Sequence, residues 1–279
     1  MLLQLAIGDA YGAGFEYAPD RLVRERNDGA GYTRHPRHDI EPGCYTDDTQ
    51  MSLAIAEALV ENDPWTRESL AARFVAAFKR DPREGYASRF HGLLTEVRDG
   101  DDLLARIRPD SAKSGAAMRS PPLGVLADTA QVIRRAELQA RITHDTSGGV
   151  ASATASALCA HYFVHRHGPK AELADFLLAY VPGPWDRPWH GKVGALGMDS
   201  VHAAVAALRE HASMRELLRA CIAFTGDVDT VATIALAAGA HSEEIAQDLP
   251  VSLYEGLENS RYGRDYLATL DARLMALAG

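Results

Sequence analysis

The sequence predicts an all-α protein. Alanine supplies 47 of the 279 residues, whereas aromatic residues make up only 7%. Alanine is the strongest helix former, and its small side chain suits helices that pack closely. Apolar residues recur at helical spacing along much of the chain, and no comparable stretch alternates cleanly between apolar and polar residues as a half-buried strand does. These observations favour a fold of helices packed on helices.

Nine segments carry the helical pattern. The first begins just after Asp47 and Asp48, and its apolar residues are too continuous for a strand, which is typical of a buried helix. The second has Thr66 as its N-cap and ends at Asp81 and Pro82. In chain order the nine predicted helices are Thr49–Val60, Thr66–Phe78, Leu123–Leu138, Val150–His165, Glu172–Tyr180, Ser200–His211, Met214–Phe224, Val228–Ala240 and Arg261–Leu277.

The connecting segments are rich in Gly, Pro and Asp. They are residues 26–43, 81–86, 109–122 and 182–191. None is long or polar enough to be an interdomain linker, and no repeat at a fixed period is present. We therefore predict a single domain over residues 1–279, with functional residues on the connectors.

Charge and composition exclude several classes of protein. The formal net charge of −9 excludes a generic nucleic-acid binder. The apolar run Met1–Ile7 lacks a basic leader and is interrupted by Gly8 and Asp9, so we expect neither a signal peptide nor a membrane span. Three cysteines without metal or redox spacing indicate free thiols in a reducing compartment, and the expected localisation is cytoplasmic.

Three acidic segments predict a metal site. They are Gly8-Asp9 through Glu16, Thr46-Asp47-Asp48-Thr49 and Gly226-Asp227-Val228-Asp229-Thr230, and the sequence predicts a turn before an Ala-rich helix at each. Either of the last two, taken alone, is more simply explained by N-capping and by acids favoured in a first helical turn. Their similarity favours convergence on hard cations such as Mg²⁺ or Mn²⁺, which prefer carboxylate and hydroxyl oxygens.

Five motifs in order resemble the ADP-ribosylglycohydrolase family, which includes dinitrogenase reductase-activating glycohydrolase. They read GDAYGAGFE, TDDTQ, SGAAMRSPPLG, THDTSGG and TGDVDTVATIALAAGA, and they span Gly8 to Ala240. The resemblance implies a compact, single-domain orthogonal helical bundle. It also implies a binuclear Mg²⁺ or Mn²⁺ site that hydrolyses the glycosidic bond between ADP-ribose and an acceptor side chain.

The resemblance also assigns residues to the site. It implies catalytic roles for Glu16, Asp47 and Asp229, with Glu16 as a metal-proximal acid or base. Its implied metal ligands are Thr46, Asp47, Asp48, Asp227, Asp229 and Thr230. Its implied contacts to ADP-ribose are Ser114, Gly115, Ala116, Met118 and His144. Without the resemblance, each of three residues has a simpler explanation. An ordinary turn explains Gly115 equally well. His144 could be a structural histidine, and Glu16 a solvated carboxylate in a loop.

The chain departs from the family pattern at three places. Lys113-Ser114-Gly115 stands where Gly-Asn-Gly is common, which removes an Asn side chain and adds a cation near the expected diphosphate. Thr225-Gly226 stands where Gly-Gly is usual, a change expected to be tolerated. No acid matches the one that some relatives carry near residues 85–90. These departures leave the linkage specificity open.

The expected partner is an ADP-ribosylated protein or a small-molecule ADP-ribose conjugate. Every implied ligand comes from one chain, so a monomer is expected to suffice. One alternative is a non-catalytic ADP-ribose reader or a crystallin-like relative, which the altered phosphate loop would suit. Another is an all-α Mg²⁺-dependent isoprenoid synthase, against which the missing third carboxylate at Met51 argues.

Overall fold

A computed structural model describes residues 1–279. It contains fifteen α-helices, two short 3₁₀ helices at Pro121–Val125 and Lys170–Glu172, and no strand, so the all-α prediction is confirmed. The α-helices are α1 (Leu2–Ala13), α2 (Asp20–Arg26), α3 (Asp47–Val60), α4 (Arg67–Arg80), α5 (Ser88–Glu96), α6 (Gly100–Arg106), α7 (Gly115–Met118), α8 (Thr129–Arg141), α9 (Ser147–Val164), α10 (Leu173–Leu178), α11 (Gly197–Glu210), α12 (Met214–Ala223), α13 (Val228–Gly239), α14 (Val251–Gly256) and α15 (Arg264–Met275).

Several predicted helices differ from the structure. The predicted helix Leu123–Leu138 is interrupted after the first 3₁₀ helix, because the Asp128 carboxylate accepts the Ala130 N–H at 3.0 Å and starts α8 there. The predicted helix Arg261–Leu277 begins only at Arg264. Helices α2, α5, α6, α7 and α14 were not predicted. All five are short, so they carry too few turns to show a clear apolar period.

Helix α1 was also missed, and the position predicted for Asp9 was wrong. The sequence suggested a turn at Gly8-Asp9, but both residues lie inside α1. Ten of the twelve residues of α1 are buried, on all sides of the helix. A helix buried all round has no polar face, so its sequence lacks the amphipathic stripe by which surface helices are predicted.

The core centres on helices that carry small side chains. One cluster of 74 buried residues runs from Met1 to Leu274. All twelve residues of α13 are buried, and the helix packs against α1, α9, α11 and α12. Cys159 and Cys221 are buried free thiols, and Cys44 is a half-buried one. None of the helices combines the length and apolar character that crossing a membrane requires.

Helices α1 and α13 approach so closely that no side chain separates them at two points. A Cβ atom placed on Gly8 would lie 2.6 Å from the Ala232 carbonyl oxygen, and one on Gly12 would lie 2.3 Å from the Asp229 Cα. Real Cβ atoms do not approach backbone this closely, so only glycine fits at either position. The contact places Asp229, in the first turn of α13, against the last turn of α1.

We expect Gly12→Ala to lower the free energy of unfolding by about 2 kcal/mol or more, because the added methyl group forces the two backbones apart. The control is Gly92→Ala in the exposed α5, where an added Cβ meets no atom within 4 Å and alanine should stabilise by about 0.5–1 kcal/mol. Urea unfolding of both variants measures the difference. Equal stability of the two would contradict the close packing.

Candidate active site

A single cavity of about 1020 Å³ gathers most of the residues that the sequence indicated. Those that line it are Glu16, Asp47, Asp48, Ser114, Gly115, Met118, His144, Asp227, Asp229 and Thr230. Two indicated residues do not line it. Thr46 is 1% exposed and bonds to Asp9, and Ala116 is fully buried beside Ala140 and Ala153.

Asp9 positions the first acidic turn from another helix. Its carboxylate accepts four hydrogen bonds, from the backbone N–H and hydroxyl of Thr46 at 2.9 and 2.7 Å and from those of Thr49 at 2.9 and 2.6 Å. These amides lie at the start of α3, where no helical partner exists for them. Asp9 therefore caps α3 across a gap of 37 residues and orients Asp47 and Asp48 between its two anchor points.

The second acidic turn depends on two left-handed residues. Thr225 has φ of 60° and Gly226 has φ of 98°. This conformation lets the Val193 N–H donate to the Thr225 carbonyl at 2.9 Å and the Asp227 N–H donate to the Val193 carbonyl at 3.2 Å. The turn thereby starts α13 at Val228, with Asp227 as the N-cap residue. Glycine suits such a position better than threonine does, whose Cβ is crowded there.

Three carboxylates from two of the predicted acidic segments lie close together. Glu16, Asp227 and Asp229 each place an oxygen atom within 4.8 Å of the other two. The Glu16 side chain is 16% exposed, whereas Asp227 and Asp229 are buried. Asp47 and Asp48, both buried, line the same cavity although they are not part of this triplet. The structure thus brings together acids from positions as distant as Glu16 and Asp229.

Burial and mutual repulsion make the charged forms of these acids costly. Burial raises the pKa of Asp227 to about 7, and the Glu16 charge adds to the shift. Burial also raises the pKa of Asp47, Asp48 and Asp229 well above their usual range, with further contributions from the neighbouring carboxylates. A site that must hold several of these groups ionised therefore needs a source of positive charge.

Two buried carboxylate oxygens have no hydrogen-bond donor. Asp48 Oδ2 and Asp229 Oδ1 are fully enclosed and accept no hydrogen bond. Buried polar atoms are nearly always paired, so unpaired carboxylate oxygens in a cavity are unusual. The donor set is all oxygen, which is the chemistry that Mg²⁺ and Mn²⁺ prefer. The residues present fit a divalent cation.

A histidine that sequence reasoning missed orients Glu16. His35 Nδ1 accepts the backbone N–H groups of Arg37 and His38 at 3.0 and 2.9 Å, so it carries no proton. The proton therefore sits on Nε2, which donates to Glu16 Oε2 at 2.9 Å. His35 lies in the loop 26–43, whose composition indicated only a connector. No spacing in the sequence links it to Glu16.

The segment before α7 forms another part of the cavity wall. The Ser114 N–H donates to the Ala195 carbonyl at 3.2 Å, and the Gly197 N–H donates to the Ala112 carbonyl at 3.0 Å, so the segment is held against the start of α11. Lys113 lines the cavity and forms no ion pair. Four arginines also line the cavity, namely Arg89, Arg106, Arg108 and Arg119. The lining therefore combines an acidic group with several cations.

Comparison with known proteins agrees with this geometry. The family model for ADP-ribosylglycohydrolase matches residues 1–279. The chain belongs to the ADP-ribosylglycohydrolase family. This membership confirms the resemblance of the five motifs and decides against the isoprenoid synthase alternative, as does the burial of Met51 in the core.

This chain has low sequence identity to the relatives that it matches. It is 27% identical to ADP-ribosyl-[dinitrogen reductase] glycohydrolase from Rhodospirillum rubrum, over 99% of this chain and 95% of the relative. It is 27% identical to ADP-ribosylhydrolase ARH3 from Bos taurus over 63% of this chain, which spans about half (52%) of that protein. A solved structure described as an ADP-ribosylglycohydrolase-related protein complex matches with a TM-score of 0.77 and 22% identity, over 100% of this chain and 96% of the other. That likeness confirms the fold.

We expect Mg²⁺ or Mn²⁺ to raise the melting temperature more at pH 8 than at pH 5. Carboxylates with raised pKa hold protons in the folded state that the unfolded chain has released, so stability without metal falls as pH rises from about 4 to about 7 and beyond. A cation takes the place of those protons. A saturating ion should add about 5 °C or more at pH 8.

Asp229→Asn should reduce this metal-induced shift, whereas the exposed Asp101→Asn on α6 should keep it. Thermal unfolding at several metal concentrations makes the comparison. An identical shift at both pH values, or in both variants, would contradict the assignment of the acidic group as the binding site.

We expect Thr225→Gly to raise the free energy of unfolding by about 1 kcal/mol, because it removes the Cβ from a left-handed residue. Thr225→Ala is the matched control, since it removes the branch and the hydroxyl but keeps the Cβ. Chemical denaturation of both variants gives the values. If alanine stabilised as much as glycine, the cause would lie in the threonine side chain and not in the backbone.

Proposed function

We propose that this protein is a metal-dependent hydrolase that cleaves the glycosidic bond between ADP-ribose and an acceptor, with two Mg²⁺ or Mn²⁺ ions as cofactors. The observation that carries the proposal is the group of buried carboxylate oxygens without hydrogen-bond partners at the wall of a large cavity. The cavity volume of about 1020 Å³ lies at the upper end of the range for small-molecule sites, which suits a dinucleotide-sized ligand.

The residues divide into a set proposed to bind the metal ions and a set proposed to bind ADP-ribose. Five of the proposed metal ligands line the cavity at the starts of α3 and α13, namely Asp47, Asp48, Asp227, Asp229 and Thr230. Thr46, which lies behind them, is the sixth. Bound divalent ions would polarise a water molecule and the ribose hydroxyls. The proposed contacts to ADP-ribose are Ser114, Gly115, Ala116, Met118 and His144. Of these, Ala116 can contribute only backbone atoms, because its side chain is buried in a small apolar cluster.

Glu16 is the proposed acid or base, together with Asp47 and Asp229 in the catalytic set. His35 donates to Glu16 Oε2 and holds the carboxylate in one orientation. Oε1 is then the oxygen that faces fewer partners, with only Arg37 at 4.0 Å. Such an oxygen can take a proton from an attacking water or return one to the leaving group. The neutral His35 ring lets Glu16 keep its proton-accepting role, because it orients without adding a full charge.

The substrate side of the proposal is an ADP-ribosylated protein or a small conjugate. The relatives are named for a dinitrogen reductase substrate in one case and for ADP-ribose hydrolysis without an acceptor in the other. The proposal therefore does not specify a single acceptor linkage. Since every proposed ligand comes from one chain, we propose that the monomer is active.

The test is release of ADP-ribose from arginine-, serine- and O-acetyl-linked substrates with each metal. Wild type should turn over at least one linkage, and chelation should abolish turnover. Asp229→Asn should lower kcat by about 100-fold or more, because a charged group at the reacting centre is lost. Asp101→Asn, an exposed acid on α6, is the matched control and should be fully active.

Unchanged turnover in folded Asp229→Asn, or in the presence of chelator, would overturn the metal mechanism. Tight ADP-ribose binding without turnover of any linkage would favour a non-catalytic reader instead. Circular dichroism of each variant confirms that lost activity does not come from lost structure.

A further inference from the structure

A buried arginine in the cavity wall has no carboxylate partner. Arg119 is 1% exposed and forms no ion pair. Its guanidinium donates to Gln139 through Nε at 2.5 Å to Oε1 and through Nη2 at 3.0 Å to the backbone carbonyl. It also lies 4.4 Å from the centre of the Phe74 ring. Burying a cation with neutral acceptors alone costs desolvation free energy, which indicates that Arg119 has a role other than ion pairing.

The remaining bond of Arg119 leads to His144. Nη2 donates to Thr143 Oγ1 at 2.8 Å, and Thr143 Oγ1 lies 2.6 Å from His144 Nδ1. A guanidinium has no lone pair and can only donate, so the Thr143 oxygen is an acceptor in its bond with Arg119. The hydroxyl of Thr143 still has one proton to place.

The direction of the second bond follows from that proton. Thr143 Oγ1 has no third partner in the chain, so His144 Nδ1 is the one acceptor within reach. If Nδ1 donated instead, the Thr143 proton would have no acceptor within the chain, at a residue that is only 4% exposed. The arrangement that pairs every group places the lone pair on Nδ1 and the proton on Nε2.

The proton on Nε2 is offered to the cavity. His144 lines the cavity, and Nε2 makes no hydrogen bond within the chain. A Cβ on Gly115 would lie 3.0 Å from His144 Cε1 and 3.2 Å from Nε2, so this edge of the ring faces the segment proposed to contact ADP-ribose. Burial, aided by the Arg119 charge, lowers the pKa of His144 to about 3. The ring is therefore neutral at physiological pH.

We infer that Arg119 and Thr143 are positioning residues that hold His144 as its Nε2–H tautomer and make it a fixed neutral donor to the cavity. The ligand atom that it selects is a hydrogen-bond acceptor, such as a phosphate or ribose oxygen. A group that only donates, such as an ammonium group, would meet a donor and be rejected. The choice of ligand atom rests on the proposed function, whereas the tautomer does not.

The tautomer is measurable without any ligand. Long-range ¹H–¹⁵N correlation spectra of the imidazole rings distinguish a protonated from an unprotonated ring nitrogen, and His144→Gln identifies the His144 signals by their loss. Wild type should show an unprotonated Nδ1 and a protonated Nε2 that do not titrate between pH 5 and pH 8. A protonated Nδ1 in wild type overturns the inference.

Thr143→Val tests the role of the hydroxyl, and Thr143→Ser is the matched control that restores it. Valine keeps the shape but cannot donate, so His144 should become a mixture of tautomers and the Kd for ADP-ribose should rise about tenfold. Serine should return both to wild-type values. A wild-type His144 spectrum in folded Thr143→Val overturns the inference, and if valine prevents folding the wild-type spectrum decides alone.

The same experiments separate this inference from the proposed function. The expected tautomer in a wild-type protein that does not bind ADP-ribose would refute the proposed function and leave the assignment of Arg119 and Thr143 standing. ADP-ribose binding and turnover together with a protonated Nδ1 would support the proposed function and overturn the positioning roles.

Discussion

The close contact between α1 and α13 is the constraint on which the candidate site depends. At Gly8 and Gly12 the backbones meet without side chains between them, which places Asp229 beside the end of α1. From the same helix Asp9 reaches the start of α3 with four hydrogen bonds. One helix therefore aligns both acidic turns, and the chain leaving it reaches Glu16 three residues after Ala13. Any change that moves α1 would move all three acidic segments at once.

The acids of this protein fall into two groups that differ in how their charge is satisfied. Asp9 is fully buried, but every one of its bonds is to a donor at a helix start. Asp48 and Asp229 are nearly as buried, yet each keeps an oxygen without a donor. The first arrangement is satisfied within the chain and needs no ion. The second leaves the folded chain with repulsion that a divalent cation would relieve, so stability and the proposed activity draw on the same groups.

Much of the fold could be predicted because long helices with one polar face have a readable period. Helices α4 and α12 lie close to their predicted bounds, and Thr66 caps α4 through its hydroxyl as expected. Helix α1 could not be predicted in this way, because it is buried on every side and carries glycines and an aspartate in its interior. Those residues suggest a turn locally. The energy that makes them helical comes from packing against α13, which no local pattern contains.

The sequence by itself determined the all-α class, the family motifs and the chemical identity of the acidic residues, since these depend on residue types and on spacing along the chain. Only the tertiary structure decided that Asp9 caps α3, that His35 orients Glu16, and that Arg119 and Thr143 stand behind His144. These pairs are separated by 37, 19 and 24 residues. The direction of a hydrogen bond depends on which donors and acceptors meet, and they meet only when the chain is folded.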